Sequence, residues 1–279
     1  MRLILSIFSL TLLTNISCQT SSNQTDSDNG GIIFKDSLGH VLSKSDLVNV
    51  TTGQVNYEIM GNQNIDPNAS KLHQEARELG QSGKYDLSIS KLEQATKIQP
   101  TWAYPFYDLG YTYLLKGDFD NALKFYKKTD ELEPKGFFTA KTALYSLEGE
   151  KLGKFPKGLY SMYMQIEWTD DVAKKLEIAK TISEKVPDFA PAWYELSKLL
   201  DDQAERLTAI EKGLSKQPDS ETKGILTINK ALILDNNGKK GEAKKLLGNL
   251  IFSPDVTTGN LELAKFTLKS LTENLSSDK

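Results

Sequence analysis

Histidine and cysteine are nearly absent from this 279-residue sequence, which contains two histidines and one cysteine. A histidine-based metal or acid–base site is therefore disfavoured, because such sites draw on several of these side chains. The formal net charge is only −3, and no block of lysines and arginines gives the electrostatic footprint of nucleic-acid binding. The motifs GxSxG, GxGxxG, HExxH and CxxC are also missing. The sequence thus predicts no catalytic site, metal, cofactor or nucleic-acid partner.

The single cysteine, Cys18, has an informative position. A basic start, Met1-Arg2, leads into an apolar run from Leu3 to Leu13 that is too short to span a bilayer. The residues before the cysteine, Asn15-Ile16-Ser17, and the polar stretch after it resemble a bacterial lipoprotein signal, with Asn15 where that pattern usually has leucine. The resemblance implies a signal peptide over residues 1–17 and lipid (palmitate) attachment at Cys18.

Plain secretion and a buried apolar N-terminus are the alternatives to a lipid anchor. No Ala-x-Ala-like cleavage site is present, and secretion would leave one unpaired thiol in an oxidising compartment. A lipid anchor at Cys18 accounts for both observations and implies membrane association in the bacterial cell envelope. Gln19, directly after the cysteine, favours the outer membrane over the inner one.

Two segments separate this signal from the rest of the chain. Residues 18–31 are polar and of low complexity, which predicts a flexible tether because almost nothing apolar can be buried. Residues 32–66 predict a small β-hairpin element, with turn chemistry at Asp36 to Gly39 and a strand on either side. The alternation from Gln54 to Ile59 predicts a third strand.

From Ala69 to about Asn274 the apolar residues recur at helical spacing, and two stretches repeat each other. SGKYDLSISKLEQATKIQP and KGDFDNALKFYKKTDELEP contain the same turn, helix and proline, 34 residues apart. The second unit has a regular series of large, small and aromatic positions: Phe106, Leu109, Gly110, Tyr113, Gly117, Phe119, Ala122, Tyr126 and Pro134. This series resembles the tetratricopeptide (TPR) repeat strongly. We expect Gly110 and Ala122 to let two antiparallel helices approach closely.

The resemblance implies an all-α fold, a TPR-type α-solenoid of helix hairpins. It assigns repeats to residues 67–256 and a C-terminal capping helix to residues 257–279, because hairpins must stack to bury their apolar stripes. Pro134 and Pro187 are 53 residues apart, so one helix or hairpin between them should be irregular. Asp170-Asp171 should cap a helix there.

The resemblance also implies a partner-binding groove. In TPR folds the second, fifth and ninth positions of each first helix face the concave side, and tyrosine is well suited to binding there. Carried over by offset, the groove residues are His73, Arg77, Tyr104, Tyr107, Tyr111, Lys141, Tyr145, Tyr160, Met164, Tyr194 and Lys198. The alternative is that these rings pack between repeats. The Lys/Asn clamp with which chaperone-binding TPR domains hold a C-terminal carboxylate is not matched.

These patterns indicate a non-enzymatic, lipid-anchored TPR protein of the bacterial envelope. It would act as a protein–protein interaction scaffold that holds a protein or an extended peptide in its groove. Two alternatives remain open. One is a component of outer-membrane protein assembly, by architectural analogy alone; the other is a glycan-binding lipoprotein, since rows of aromatic rings also stack on sugars.

Overall fold

The computed structural model describes residues 32–35, 56–59 and 65–273. Two short strands, β1 (Ile32–Lys35) and β2 (Asn56–Ile59), pair antiparallel with Ile32 opposite Ile59. The segment predicted as a third strand is therefore the one that pairs with the first. The predicted turn at 36–39, the strand predicted after it, the tether, the signal peptide and Cys18 lie outside the described residues.

Helices account for most of residues 65–273. They are α1 (Pro67–Gln81), α2 (Tyr85–Ile98), α3 (Ala103–Leu115), α4 (Phe119–Leu132), α5 (Ala140–Lys151), α6 (Leu159–Trp168), α7 (Val172–Lys185), α8 (Ala190–Leu199), α9 (Gln203–Ser215), α10 (Ser220–Asn236), α11 (Lys240–Ile251) and α12 (Thr258–Glu273).

Neighbouring helices pack as hairpins: α1 with α2, α3 with α4, α6 with α7, α8 with α9 and α10 with α11. The first helices of successive hairpins also contact each other, as in α1 with α3 and α8 with α10, and α12 packs on α10 and α11. Second helices form no comparable contact with one another within residues 65–273. The first helices therefore line the inner side of an all-α solenoid.

The α3–α4 hairpin shows how the repeat pattern produces this packing. Gly117 ends α3 with a φ of +75°, a conformation that glycine adopts without steric cost. The side chain of Asp118 then caps α4 by accepting a hydrogen bond from the Asn121 N–H at 3.1 Å. A Cβ atom on Gly110 would lie 3.0 Å from Cγ of Tyr126, a ring that is fully buried. The predicted close approach at Gly110 is confirmed.

Helix α5 is the irregular element that the spacing between Pro134 and Pro187 predicts, since it has no hairpin partner and leads directly into α6. The buried carboxylate of Glu150 in α5 caps the next helix. Its Oε2 accepts from the Gly158 N–H at 2.6 Å and its Oε1 from the Tyr160 N–H at 2.7 Å. Asp171 caps α7 as predicted, accepting from the N–H groups of the second and third residues of that helix.

The array also closes on itself through the start of α5. The carbonyl oxygen of Lys135 accepts from the Thr258 N–H at 2.7 Å, and the Thr142 N–H donates to Oε2 of Glu221 at 3.2 Å. These contacts join the first turn of α5 to that of α10, and the segment before α5 to the first turn of α12. The inner side of the second half of the array is thereby bounded by α5.

Candidate functional site

His73 of α1, which the sequence predicts as a groove contact, is buried between α1 and the start of α3. The ring of His73 is 6% exposed, and the rings of Trp102 and Tyr104 cover it with centroids 4.8 and 4.6 Å away. Its Nε2 lies 2.8 Å from Oδ2 of Asp108. His73 thus supports the neighbouring aromatic rings from below, and its prediction as a groove contact is corrected.

Arg77 of α1 and Tyr104 of α3, two of the predicted groove residues, contact each other. Nη1 of Arg77 donates to the Tyr104 hydroxyl at 3.1 Å, and its Cζ lies 5.3 Å from the centroid of that ring. Nε of Arg77 is also 3.8 Å from Oδ2 of Asp108. The guanidinium is therefore fixed in direction while its side chain stays 30% exposed.

Two phenylalanines in the loop before α5, missed by the sequence analysis, extend this surface. Phe137 and Phe138 pack edge to face at 4.7 Å, and the centroids of both rings lie 5.2–5.8 Å from those of Tyr104 and Tyr107. All four rings are half-buried. We call Tyr104, Tyr107, Phe137 and Phe138 the aromatic platform.

Phe138 has a φ of +48°, which is uncommon for a bulky residue. This conformation costs about 1–2 kcal/mol, and such strain concentrates at functional sites. The Tyr107 hydroxyl lies 2.8 Å from Oγ1 of Thr139 and helps to fix the loop. No local sequence signal marks the platform phenylalanines, because their position depends on the contacts of a loop with a distant helix.

Tyr107 and Tyr111 combine the two predicted roles, because each ring is packed within the array and also has an accessible part. The Tyr107 ring packs against the buried Tyr126 ring at 5.6 Å, and the Tyr111 hydroxyl accepts from Nε1 of Trp168 at 2.8 Å. Both side chains nevertheless retain accessible surface. Burial raises the pKa of both phenols above the usual value, so they remain neutral hydrogen-bonding groups.

Two predicted groove residues of α6 are not on the surface. Tyr160 is 1% exposed and Met164 4% exposed, and both pack in a cluster with side chains of α3, α4 and α5. Their prediction as groove contacts is wrong. In the same helix, Tyr163 and Glu167 retain accessible surface.

Tyr145 and Lys141 of α5 serve internal contacts. The Tyr145 ring lies 5.3 Å from Phe155, and its hydroxyl donates to the carbonyl oxygen of Asp188 at 3.3 Å. Burial raises the pKa of Tyr145 to about 12, with a further contribution from nearby carboxylates. Nζ of Lys141 forms an ion pair with Asp130 at 2.5 Å.

On α8 the predicted residues Tyr194 and Lys198 form a charged group with Glu195. Nζ of Lys198 lies 4.6 Å from the Tyr194 ring centroid and 2.6 Å from Oε2 of Glu195. Oε1 of Glu195 accepts from the Tyr163 hydroxyl at 3.3 Å. Burial alone would lower the pKa of Lys198, but the Glu195 carboxylate raises it, so the pair is held charged.

None of the helices in residues 65–273 combines the length and apolarity needed to cross a bilayer. In the same part of the chain, no three side chains of His, Cys, Asp or Glu converge in a way that could hold a metal ion.

The sequence profile of the tetratricopeptide repeat matches residues 103–135, which comprise α3, α4 and their flanks. Among solved structures, MamA (residues 41 to the end) from Desulfovibrio magneticus RS-1 is 13% identical over 77% of this chain and 99% of that chain, with a TM-score of 0.32. TTC0263, a TPR protein of Thermus thermophilus, is 18% identical over 73% and 99%, with a TM-score of 0.32. The complex of the TPR2AB domain of yeast Sti1 with pHSP90 gives 15% identity over 74% and 86%, with a TM-score of 0.35.

The α3–α4 hairpin unites the sequence pattern of the repeat with its close helix packing at Gly110 and Tyr126. The remaining hairpins stack on it in the same first-helix-inside arrangement. Residues 103–135 of the chain therefore form a tetratricopeptide repeat.

Proposed function

We propose that the protein is a non-enzymatic scaffold that binds an extended segment of a protein partner along the inner helices. The aromatic platform is the observation that carries this proposal. Four half-buried rings from α3 and the loop before α5 meet on one surface, and one of them, Phe138, is held in a strained backbone conformation. TPR arrays are built to present such a surface to a protein partner.

The chemistry of the platform suits a peptide. Tyrosine and phenylalanine offer a large contact area and lose little side-chain entropy on binding. The guanidinium of Arg77, fixed against the Tyr104 hydroxyl, adds hydrogen-bond donors at the edge of the rings. An extended segment has exposed carbonyl oxygens that can accept such bonds. The absence of known catalytic motifs from the sequence supports binding rather than chemistry.

Photo-crosslinking tests this proposal directly. Benzoylphenylalanine in place of Phe137 should crosslink a discrete protein in the native envelope, whereas the same group in place of Leu152, which is 83% exposed at the end of α5, should not. Excess purified protein should compete the crosslink away, and a Tyr104→Ala, Tyr107→Ala variant should compete poorly. Identical products from both positions, or equal competition by the variant, would refute a binding role for the platform. A crosslinked product made of sugar would favour the glycan-binding alternative.

We also propose that the protein is anchored by lipid at Cys18 in the bacterial envelope, in the outer membrane. The apolar run of residues 3–13 and the polar tether of residues 18–31 support this proposal. Cells fed an alkynyl palmitate analogue should label the wild-type chain, and Cys18→Ser should abolish the label and release the chain from the membrane fraction. Persistent labelling or membrane retention of Cys18→Ser would refute anchoring at this residue.

A further inference from the structure

The rings of the aromatic platform are inclined to one another and are not stacked in a flat row. The interplanar angles of the contacting platform pairs run from 42° to 87°. Trp102, directly before α3, extends the set, because its ring meets that of Tyr104 edge-on with the centroids 6.4 Å apart. Inclined rings leave notches between the face of one ring and the edge of the next. The surface is therefore corrugated, which suits a compact ring better than a broad flat one.

Hydrogen-bond donors border these rings. A guanidinium carries five N–H donors, and that of Arg77 is held against the Tyr104 hydroxyl at 3.1 Å while its side chain is 30% exposed. The indole of Trp102, which is a donor only, is half-buried and has no acceptor within residues 65–273. The positive ends of these N–H dipoles complement the carbonyl oxygens of a bound segment.

The acceptors beside the rings are already engaged. In the loop before α5, the carbonyl oxygens of Glu133, Lys135 and Phe137 accept from backbone N–H groups at 2.7–3.1 Å. The Asp108 carboxylate contacts His73 at 2.8 Å, and its side chain is only 14% exposed. The carbonyl groups within α3 are used by the helix itself. An ordinary extended segment would therefore press its own N–H groups against a surface that cannot accept from them, which is costly.

Proline satisfies both conditions. It has no backbone N–H, and its ring is compact. A proline-rich segment adopts the polyproline II conformation, in which no internal hydrogen bond forms and the carbonyl oxygens stay exposed. Because this conformation exists before binding, little entropy is lost in the complex. Surfaces lined by aromatic rings are a recurring means of recognising such segments.

We propose that the aromatic platform binds a proline-rich segment of the protein partner in the polyproline II conformation. Its proline rings lie in the notches between the platform rings, and its carbonyl oxygens accept hydrogen bonds from Trp102 and Arg77. The inference rests on the proposed function, because it assigns a chemical class to the partner of the same surface. It also gives a role in specificity to Trp102, which the sequence analysis did not include among the groove residues.

Affinity measurements with peptide pools test the inference. The probes are amidated, fluorescein-labelled decapeptide pools that have proline, alanine or N-methylalanine at every third position and are randomised among the other amino acids elsewhere. Every third residue lies on one face of a polyproline II helix. By fluorescence anisotropy, the full chain in detergent micelles should bind the proline pool about tenfold more tightly than the alanine pool. The N-methylalanine pool, which lacks the N–H groups and also the ring, should fall between them.

Two conservative variants and one matched control locate the preference. Trp102→Phe keeps a ring and removes the donor, so it should weaken binding of the proline pool several-fold. Phe137→Leu keeps the apolar volume and removes the ring, so it should abolish the preference for proline over alanine. Phe252→Ala, at a side chain that is 87% exposed at the end of α11, should change neither affinity. Unchanged circular dichroism and thermal unfolding show that each variant is folded.

The outcomes separate this inference from the proposed function. Equal binding of the proline and alanine pools, lost in the Tyr104→Ala, Tyr107→Ala variant, would overturn the inference and leave the proposed function standing. A proline preference that persists in both Trp102→Phe and Phe137→Leu would also overturn the inference, because the platform would not be its source. Absence of binding by every pool would overturn the inference, and together with the absence of a crosslink from position 137 it would overturn the proposed function as well.

Discussion

Thr142 and Glu221 are joined by two hydrogen bonds across 79 residues of sequence: the Thr142 N–H and hydroxyl lie 3.2 and 3.3 Å from Oε2 of Glu221. Thr142 stands in the first turn of α5 and Glu221 in the first turn of α10. The same hydroxyl lies 3.1 Å from Oδ1 of Asp219, so two carboxylates meet at one side chain. Because like charges in a desolvated site oppose each other, this closure should respond to protonation.

The pH dependence of this closure has a definite sign. Burial and then the Asp219 charge raise the pKa of Glu221, while backbone hydrogen bonds from Thr142 and Lys141 act against them; burial also raises the pKa of Asp219. Unfolded-state values lie near 4, so each folded-state value is the higher one. The contribution to stability is then complete below the unfolded pKa and is lost as pH rises through the folded pKa.

We therefore expect the wild type to become more stable relative to Glu221→Gln as pH falls from 8 to 5. The free energy of unfolding of both proteins is measured with urea. The glutamine keeps an uncharged acceptor for Thr142 and cannot titrate. Glu221→Ala should cost about 1–3 kcal/mol, because the Thr142 N–H loses its partner. Parallel pH profiles of the wild type and Glu221→Gln would contradict the assignment to this carboxylate.

Gly136 provides a steric test of the same closure. A Cβ atom there would lie 3.0 Å from Cβ and Cγ2 of Thr257, and its φ is +95°. Gly117 has a similar φ of +75° with nothing within 4 Å, so it measures the backbone cost alone. Gly117→Ala should cost about 1–2 kcal/mol in the free energy of unfolding. Gly136→Ala should cost about 1–3 kcal/mol more, from overpacking; equal losses would show that the closure tolerates the methyl group.

The α3–α4 hairpin could be predicted from the sequence because its determinants are local. Gly110, Gly117 and Tyr126 lie within one repeat, and each acts on a neighbour in that repeat. The cap at Asp171 is local for the same reason. Such positions keep their roles wherever the repeat pattern is recognisable.

The inner surface could be predicted only in part. Arg77, Tyr104 and Tyr194, which the repeat register predicts as groove residues, retain accessible surface. Tyr160 is buried, because it packs with side chains of α3, α4 and α5 that lie far from it in sequence. Phe138 depends on packing between a loop and a helix far from it in sequence, which no periodicity reports.

Gly110 and Gly248 should respond to alanine in opposite ways. Both are helical, and alanine in an open helix position stabilises by about 0.5–1 kcal/mol relative to glycine. Nothing lies within 4 Å of a Cβ atom on Gly248, so Gly248→Ala should raise the free energy of unfolding by that amount. On Gly110 the Cβ atom would meet Cγ of Tyr126 at 3.0 Å, and the loss should be about 1–3 kcal/mol. Stabilisation by both variants in urea denaturation would disprove the tight α3–α4 packing.

Glu150 should contribute far more to stability than its neighbour Glu148. Its two oxygens accept from the Gly158 and Tyr160 N–H groups at 2.6 and 2.7 Å, and α6 has no capping side chain of its own. Glu150→Ala leaves both donors without this partner, the Tyr160 N–H in a buried position, so we expect a loss of about 2–3 kcal/mol in the free energy of unfolding.

Glu148→Ala, on the same helix, removes only an exposed ion pair with Lys127 at 2.7 Å and should cost less than about 1 kcal/mol. Glu150→Gln retains one carbonyl acceptor and should fall between the two. Hydrogen exchange at the Tyr160 amide should accelerate in Glu150→Ala and stay unchanged in Glu148→Ala, because the cap protects the first turn of α6. Equal losses of free energy in the two alanine variants would contradict this prediction. They would show that packing, and not the Glu150 cap from α5, stabilises the first turn of α6.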